Sequence, residues 1–357
     1  MNCNTHVIRS GYDHKKCFVH ARCCYTPEIM VMTAQYLDVD GCDLFSGIYM
    51  STSKDEGQTW SPLKAQEGLA PIVKDGYTIV GCDGTPMHHQ KTDTILLLGH
   101  TAEYAEGGMM PIDRTRRTFY SVYDKDKDAF GNIQFLEMPK GYESCGNGSG
   151  QSIELANGDI LIPVYYKVTG EKNMYSTVLR CAFDGEQLQL LEMGNALTVQ
   201  VERGLYEPSL VCHNSIYYLT MRNDECGFVA KSEDGLHYSD LQLWRWEDGS
   251  LLDNYNTQQH WMQIAGELYL VYTRRGADND HVFRHRAPLF AARVENMRLV
   301  RDSEFVVVKE RGARLGNFGV TSYKDDQTVV MAAEWMQPRG CEKYGSDNSI
   351  FISYIQK

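Results

Sequence analysis

The chain has 357 residues, of which 43% are hydrophobic and 23% charged, with 35 Lys and Arg against 47 Asp and Glu. That is the composition of a globular protein with a full-sized core, in one large domain or two ordinary ones. The net charge of −12 excludes a general binder of nucleic acid or of anionic membranes, although arginines gathered in a pocket would still receive an anionic ligand.

The first residues, MNCNTHVIRSGYDHKK, lack the apolar centre of a secretory leader, and no later run reaches the length of a membrane span. The eleven cysteines are odd in number and unpatterned, and include the adjacent pair Cys23 and Cys24. They read as buried, reduced thiols, which places the protein in the cytoplasm. A chain trimmed of a leader would be secreted and would look the same at its start.

Along the chain, helical periodicity is scarce and short apolar or alternating runs recur between polar turns, as in ILLLGH, DILIPVYY, ELYLVYT and TVVMAAEW. Six times a short strand, a turn and a strongly apolar strand follow one another. The first three units read HARCCYTPEIMVMTAQ from His20, TPMHHQKTDTILLLGH from Thr85 and GQSIELANGDILIPVYY from Gly150. The later three read EPSLVCHNSIYYLTMR from Glu207, QHWMQIAGELYLVYTRR from Gln259 and FGVTSYKDDQTVVMAAEW from Phe318. Their spacing of roughly 50–70 residues is that of one four-stranded propeller blade with its loops. The expected fold is therefore all-β, a single six-bladed β-propeller domain over residues 1–357 with four-stranded antiparallel blades.

One turn also repeats. SKDEGQTW, Ser53 to Trp60, follows the third strand of the first unit, and SEDGLHY, Ser232 to Tyr238, occupies the same place in the fourth. CAFDGEQL, from Cys181, is a looser copy in the third. Asp bonds the backbone two residues on, Gly supplies positive φ and the aromatic closes the hairpin. Recurrence at one register makes this a feature of the fold, placed on the outer strands far from any central site.

The run S-x-D-x-G-x-x-W between third and fourth strands is the Asp-box, and with six units the chain resembles the sialidase-like (BNR-repeat) propellers. The resemblance covers nearly the whole chain and implies a carbohydrate-binding site at one end of the propeller axis. In sialidases three arginines clamp a carboxylate, a Tyr–Glu pair supplies the nucleophile and an Asp acts as acid and base. LYEPSLVCHNSIYYLTMRN matches the segment that holds the family's Glu and second Arg, which implies those roles for Glu207 and Arg222. FVHARC offers Arg22 for the first Arg without the family's proline. The third is Arg274 or Arg275 in YTRRG, or Arg314. Where the family's tyrosine should begin the last inner strand, this chain has Asn317 and Phe318, and Tyr323 falls in the following turn.

Propeller geometry brings the start of each innermost strand to one channel mouth. That column reads His20, Asp83 and Gln151, then Glu207, Gln259 with His260, and Asn317. A ring of unlike polar residues suits a ligand, where packing alone would select small or apolar ones. Glycoside hydrolysis needs two carboxyl groups across the scissile bond, and Glu207 as nucleophile or base with Asp83 as general acid is the expected pair. Asp280 and Glu334 are reserves. In YNTQQHW, Gln258 and Gln259 would read hydroxyl groups and Trp261 would stack on a sugar face, unless the indole fills the core.

Arg284 and Arg286, in RRGADNDHVFRHRAPLF, read as loop residues held by salt bridges. His281 and His285 lie four apart, but Pro288 and the alternation around them favour loop or strand over a helix, so no metal is expected. No cofactor is expected either. The function expected is an exo-acting glycoside hydrolase that removes a terminal, acidic sugar. The competing readings are a lyase of uronic acids, with proton abstraction by His20, His260 or Tyr206, and a non-catalytic glycan-binding propeller. The expected partner is a carbohydrate, with neither nucleic acid nor membrane, and the sequence leaves the oligomeric state open.

Overall fold

The burial pattern of the strands follows their place in a stack of sheets. Thr94–Tyr104 and Ile160–Lys167 are almost wholly buried, while the outer Leu188–Met193 and Ser239–Leu243 are mostly exposed or half-buried. A strand covered on both faces selects a continuous apolar run, and a strand with one wet face does not. The computed structural model describes residues 1–357 except 42, 106–107, 109–114, 143, 169 and 325.

The strands form six antiparallel sheets that succeed one another along the chain. The inner strands of the first, second and fourth are Lys16–Tyr25, Tyr77–His89 and Tyr206–His213. In the third sheet the inner position is shared by two short pieces, Cys145–Gly146 and Ile153–Glu154, both paired with Ile160–Lys167. The fifth and sixth begin with His260–Ile264 and Phe318–Tyr323. The sixth sheet takes its outermost strand from the other end of the chain. Asn2–Arg9 pairs antiparallel with Ile350–Gln356, from Asn2 opposite Gln356 to Arg9 opposite Ile350. This is a six-bladed propeller closed by its two terminal segments.

The core lies between the blades. The period-2 alternation of a strand sends successive side chains to opposite faces. In the second blade Ile95 and Leu97 therefore pack with Val31 and Ile48 of the first, while Leu96 and Leu98 pack with Ile160 and Ile162 of the third. The same pattern continues around the ring to the sixth blade, whose Val329 and Met331 meet Met30 and Met32 of the first.

The repeated turns lie between third and fourth strands, away from the axis. Ser53 Oγ donates to Asp55 Oδ1 at 2.7 Å and accepts the Gly57 N–H at 2.8 Å, and the Trp60 indole donates to the Gly57 carbonyl at 3.0 Å. Ser232 Oγ likewise donates to Asp234 at 2.9 Å and accepts the Gly235 N–H at 3.0 Å. The looser copy keeps only its Asp, with Asp184 Oδ1 accepting the N–H groups of Glu186 and Gln187 at 2.9 and 2.7 Å.

Candidate active site

Three inner strands break their ladder at the same place. The register with the second strand shifts between Val19 and Arg22, between Cys82 and Thr85, and between Tyr206 and Ser209. Within these bulges His20, Asp83 and Glu207 adopt φ of 56°, 58° and 46°, the left-handed region that non-glycine residues avoid. A bulge turns a side chain away from the alternation of its strand. Here it aims an imidazole and two carboxylates at one pocket.

The pocket has a volume of about 130 Å³, and all three residues line it. Gln35 holds two of them in place. Its carbonyl oxygen accepts the Asp83 N–H at 3.1 Å and lies 3.1 Å from His20 Nδ1, while its amide donates to the carbonyls of Ser46 and Gly81 at 2.7 and 3.0 Å. With an acceptor at Nδ1, the His20 proton sits on that nitrogen. Burial pushes the imidazole pKa down and keeps it neutral. Arg22 donates to Asp83 Oδ1 at 2.6 Å, and its other bonds go to the Phe318 carbonyl and to Gln258 Oε1, both at 3.2 Å. Burial opposes ionisation of Asp83, but the permanently charged Arg22 bonded to it outweighs that cost and holds the carboxyl far below the usual range. Asp83 is thus a fixed anion, which removes it as the general acid the sequence suggested.

Glu207 has a cation of its own. Arg222 Nη1 spans both carboxylate oxygens at 2.9 and 2.7 Å, its other arm bonds Asn256 Oδ1, and its guanidinium lies 4.8 Å from the centre of the Tyr206 ring. Three further arginines reach the pocket from the fifth and sixth blades. Arg286 donates to the Asn256 carbonyl at 3.0 and 2.5 Å, Arg314 stacks 4.3 Å over Trp335 and donates to Gln337 Oε1 at 3.3 Å, and Arg284 lies 5.1 Å over Phe283. Burial, with Arg222, Arg314 and Arg284 nearby, pushes Arg286 well below the ordinary guanidinium range, and burial pulls Arg314 down to about 10. The opposite wall carries Arg116, 5.6 Å from the centre of the Tyr165 ring, together with His100, which burial and Arg116 depress to about 3. Gly148 belongs to the glycine-rich run that splits the inner strand of the third blade, and a Cβ there would stand 1.8 Å from His100 Nδ1. That run makes room for the imidazole.

Of the residues expected from sequence, His20, Asp83, Glu207, Arg222 and Asn317 line the pocket, as does Arg314, one of the three candidates for the third arginine. Arg22, Gln258 and Tyr206 stand behind it. Gln258 donates to Ser149 as well as accepting from Arg22, and the Tyr206 hydroxyl is engaged with Asp224 and Arg203 at 2.6 Å each. The remaining residues lie elsewhere, because backbone and packing consume their polar atoms. Gln151 ties neighbouring blades together, accepting from the Trp261 N–H at 2.6 Å and donating to the carbonyls of Trp261 and Val320 at 2.9 and 3.3 Å. Gln259 accepts from Thr220 at 2.7 Å and donates to the Thr257 carbonyl at 3.0 Å.

His260 is buried against Phe318, with Nδ1 3.0 Å from Ser209 Oγ, and burial depresses it to about 3. Trp261 fills the core between the fourth and fifth blades, 5.6 Å from Trp244. Arg274 is paired with Glu304 at 2.8 and 2.7 Å, and Arg275 lies 3.7 Å over the Tyr255 ring; neither lines the pocket. Asp280 and His281 pair with His285 and Glu310 at 3.1 and 3.0 Å, and Glu334 is bound by Arg311 at 2.8 Å. Arg284 and Arg286, expected in loop salt bridges, line the pocket without a carboxylate partner among the described residues.

The sequence reading missed Arg116, His100, Tyr165 and Glu103. Glu103 and Tyr165 come from second strands near the axis, and burial raises the Glu103 carboxyl above its ordinary range. One signal for this wall was the run RTRRTFY, arginine-dense with no acid in it.

No family model and no curated protein matches the sequence of this chain. Its structure is similar to solved sialidases. It superposes on Trypanosoma rangeli sialidase in complex with the inhibitor DANA with a TM-score of 0.65 at 15% identity, covering 99% of this chain and 59% of that one. The leech intramolecular trans-sialidase complexed with 2,7-anhydro-Neu5Ac gives 0.61 at 12%, covering 99% and 70%. The NanB sialidase from Streptococcus pneumoniae gives 0.64 at 11%, covering 98% and 70%. The chain therefore spans less than two thirds of the trypanosomal protein. At these identities the likeness establishes a sialidase-like propeller fold.

Proposed function

We propose that the protein is an exo-acting glycoside hydrolase that removes a terminal anionic sugar from an oligosaccharide. The observation that carries this reading is the meeting, in one small pocket, of a bulge-borne carboxylate, Glu207, with a wall of arginines that lack carboxylate partners. Arginine is suited to fork-like pairing with a carboxylate or sulfate. At about 130 Å³ the pocket is too small for a stretch of polymer.

In this reading the sugar's acidic group binds Arg286, Arg314 and Arg284. Glu103 is the proton donor in place of Asp83, because it lines the pocket and burial raises its carboxyl above the ordinary range, which favours the protonated form. Glu207 removes a proton from the attacking water. The glycosidic C–O bond breaks as the new C–O bond to water forms. The leaving alcohol carries the Glu103 proton, and Glu207 holds the one from water until solvent exchange restores both groups. With Asn317 and Phe318 where a tyrosine nucleophile would stand, direct attack by water inverts the anomeric centre. The fixed anion Asp83 keeps Arg22 and His20 in place. The lyase reading is left with His20 alone of its three named bases, because His260 and the Tyr206 hydroxyl do not face the pocket.

The test is a release assay with sialylated, uronic-acid-capped and neutral oligosaccharides, with products followed by mass and by ultraviolet absorbance, and Glu207→Gln run in parallel. Release of a monosaccharide with water added, lost in the variant, supports the hydrolase. An absorbing unsaturated product assigns the protein to the lyases. Binding without turnover makes it a glycan-binding module.

A further inference from the structure

The arginines of the pocket stand on two walls that face each other. Arg284 and Arg286 precede Leu289–Glu295 of the fifth blade and Arg314 precedes the inner strand of the sixth. Arg116 precedes Thr118–Asp124 of the second blade and leans over Tyr165 of the third. In a ring of six, the second blade lies across the axis from the fifth and the third from the sixth. Among the described residues, none of these four arginines has a carboxylate within ion-pair distance. The two carboxylates of the pocket that do form arginine pairs, Asp83 and Glu207, are bound to Arg22 and Arg222.

Guanidinium groups gathered in a confined site repel one another and lose hydration, an arrangement that an arriving anion relieves. One carboxylate or sulfate is smaller than a sugar ring. Seated against Arg284, Arg286 and Arg314 it leaves Arg116, across the pocket, without an anion bonded to it among the described residues. We propose that the ligand is a sugar with two anionic groups, a carboxylate and an ester of a strong oxyanion such as sulfate or phosphate, one received on each wall. The inference rests on the reading that the pocket takes a terminal sugar. It adds that selectivity lies in the second charge, with Arg116 as the residue that reads it.

Calorimetric titration of the full chain tests this with N-acetylneuraminic acid and methyl glucuronide, each beside its singly O-sulfated and O-phosphorylated forms. In at least one series an ester is expected to bind about tenfold or more tightly than the parent. Arg116→Gln is expected to cost the ester about tenfold more affinity than it costs the parent, so that most of the preference is lost, and Arg116→Lys to recover part of it. Circular dichroism and the unfolding midpoint identify a variant that has merely misfolded, and the wild-type comparison needs no variant at all.

Equal binding of parent and ester in both series overturns the proposal, as does no binding of any probe. A loss in Arg116→Gln that is the same for parent and ester also overturns it, because Arg116 then belongs to a single carboxylate clamp. Ester-selective binding without release of sugar from glycosides refutes the hydrolase and leaves this inference standing. Release of monoanionic sugars with no ester preference does the reverse.

Discussion

Asp83 and Arg22 are both buried, and each has little but the other to balance its charge. Removing one partner of such a pair costs about 3–5 kcal/mol. Asp83→Asn is therefore expected to lower stability by that order in a denaturant titration while keeping the fold. The folded-state pKa of Asp83 lies below the ordinary carboxylate value of 3.8, so the pair's stabilisation is complete above that pH and is lost as pH falls below it. The buried histidines act earlier. His100 and His260 are depressed from 6.5 to about 3, so between those values the unfolded chain binds protons that the folded one refuses. Unfolding midpoints should begin to fall just below pH 6.5, before any carboxylate titrates, and a midpoint flat from pH 7 to pH 5 would contradict the assignment. For activity the sign is opposite. A general acid must hold its proton, so turnover should fall as pH rises through the raised pKa of Glu103. Glu103→Gln should lower kcat by about 10²–10⁴-fold and remove that alkaline limb from the rate profile.

At the level of strands and turns, the blades were legible because each unit writes the same pattern, and because the Ser-Asp-Gly turn marks the gap between third and fourth strands. Gly57 has φ +86°, and a Cβ there would meet the Tyr354 hydroxyl at 2.0 Å. Gly57→Ala is expected to destabilise by about 1–3 kcal/mol through strain at that position, read as a shifted urea midpoint with an unchanged slope. The site was legible only in part. Placing inner-strand starts in one column found His20, Asp83, Glu207 and Asn317. The rule failed in the third and fifth blades. In the third the inner strand is split around a glycine-rich run, and in the fifth it is five residues long and begins at His260, so the glutamines before it are taken up elsewhere, Gln259 by the Thr257 carbonyl and Gln258 by Arg22 and Ser149. Arg116, Arg284 and Arg286 arrive from stretches between second and third strands. No periodicity records which of those stretches fold over the axis.

For the molecule as a whole, the ring depends on six interfaces of similar kind, so no blade has a core of its own. Removing residues 1–10 would strip the outer strand from the sixth blade and expose the edge of Ile350–Gln356. Because about 1 kcal/mol moves Tm by about 2–4 °C in chains of 150–250 residues, the loss of an eight-residue strand should lower Tm by well over that step and promote self-association, seen by calorimetry and light scattering. A truncated chain with the parent's Tm would show that the closure is dispensable.

That closure also sets a timetable for the chain in the cell. The segment Asn2–Arg9 leaves the ribosome nearly a full chain ahead of the strand it must join, and at about 5–20 residues per second the wait is on the order of tens of seconds. Throughout that interval the first blade and the most recently completed one each have an apolar face still uncovered. The protein's exposure to chaperones and to misassembly is therefore greatest while these blades are being made, and ends only when Ile350–Gln356 meets Asn2–Arg9.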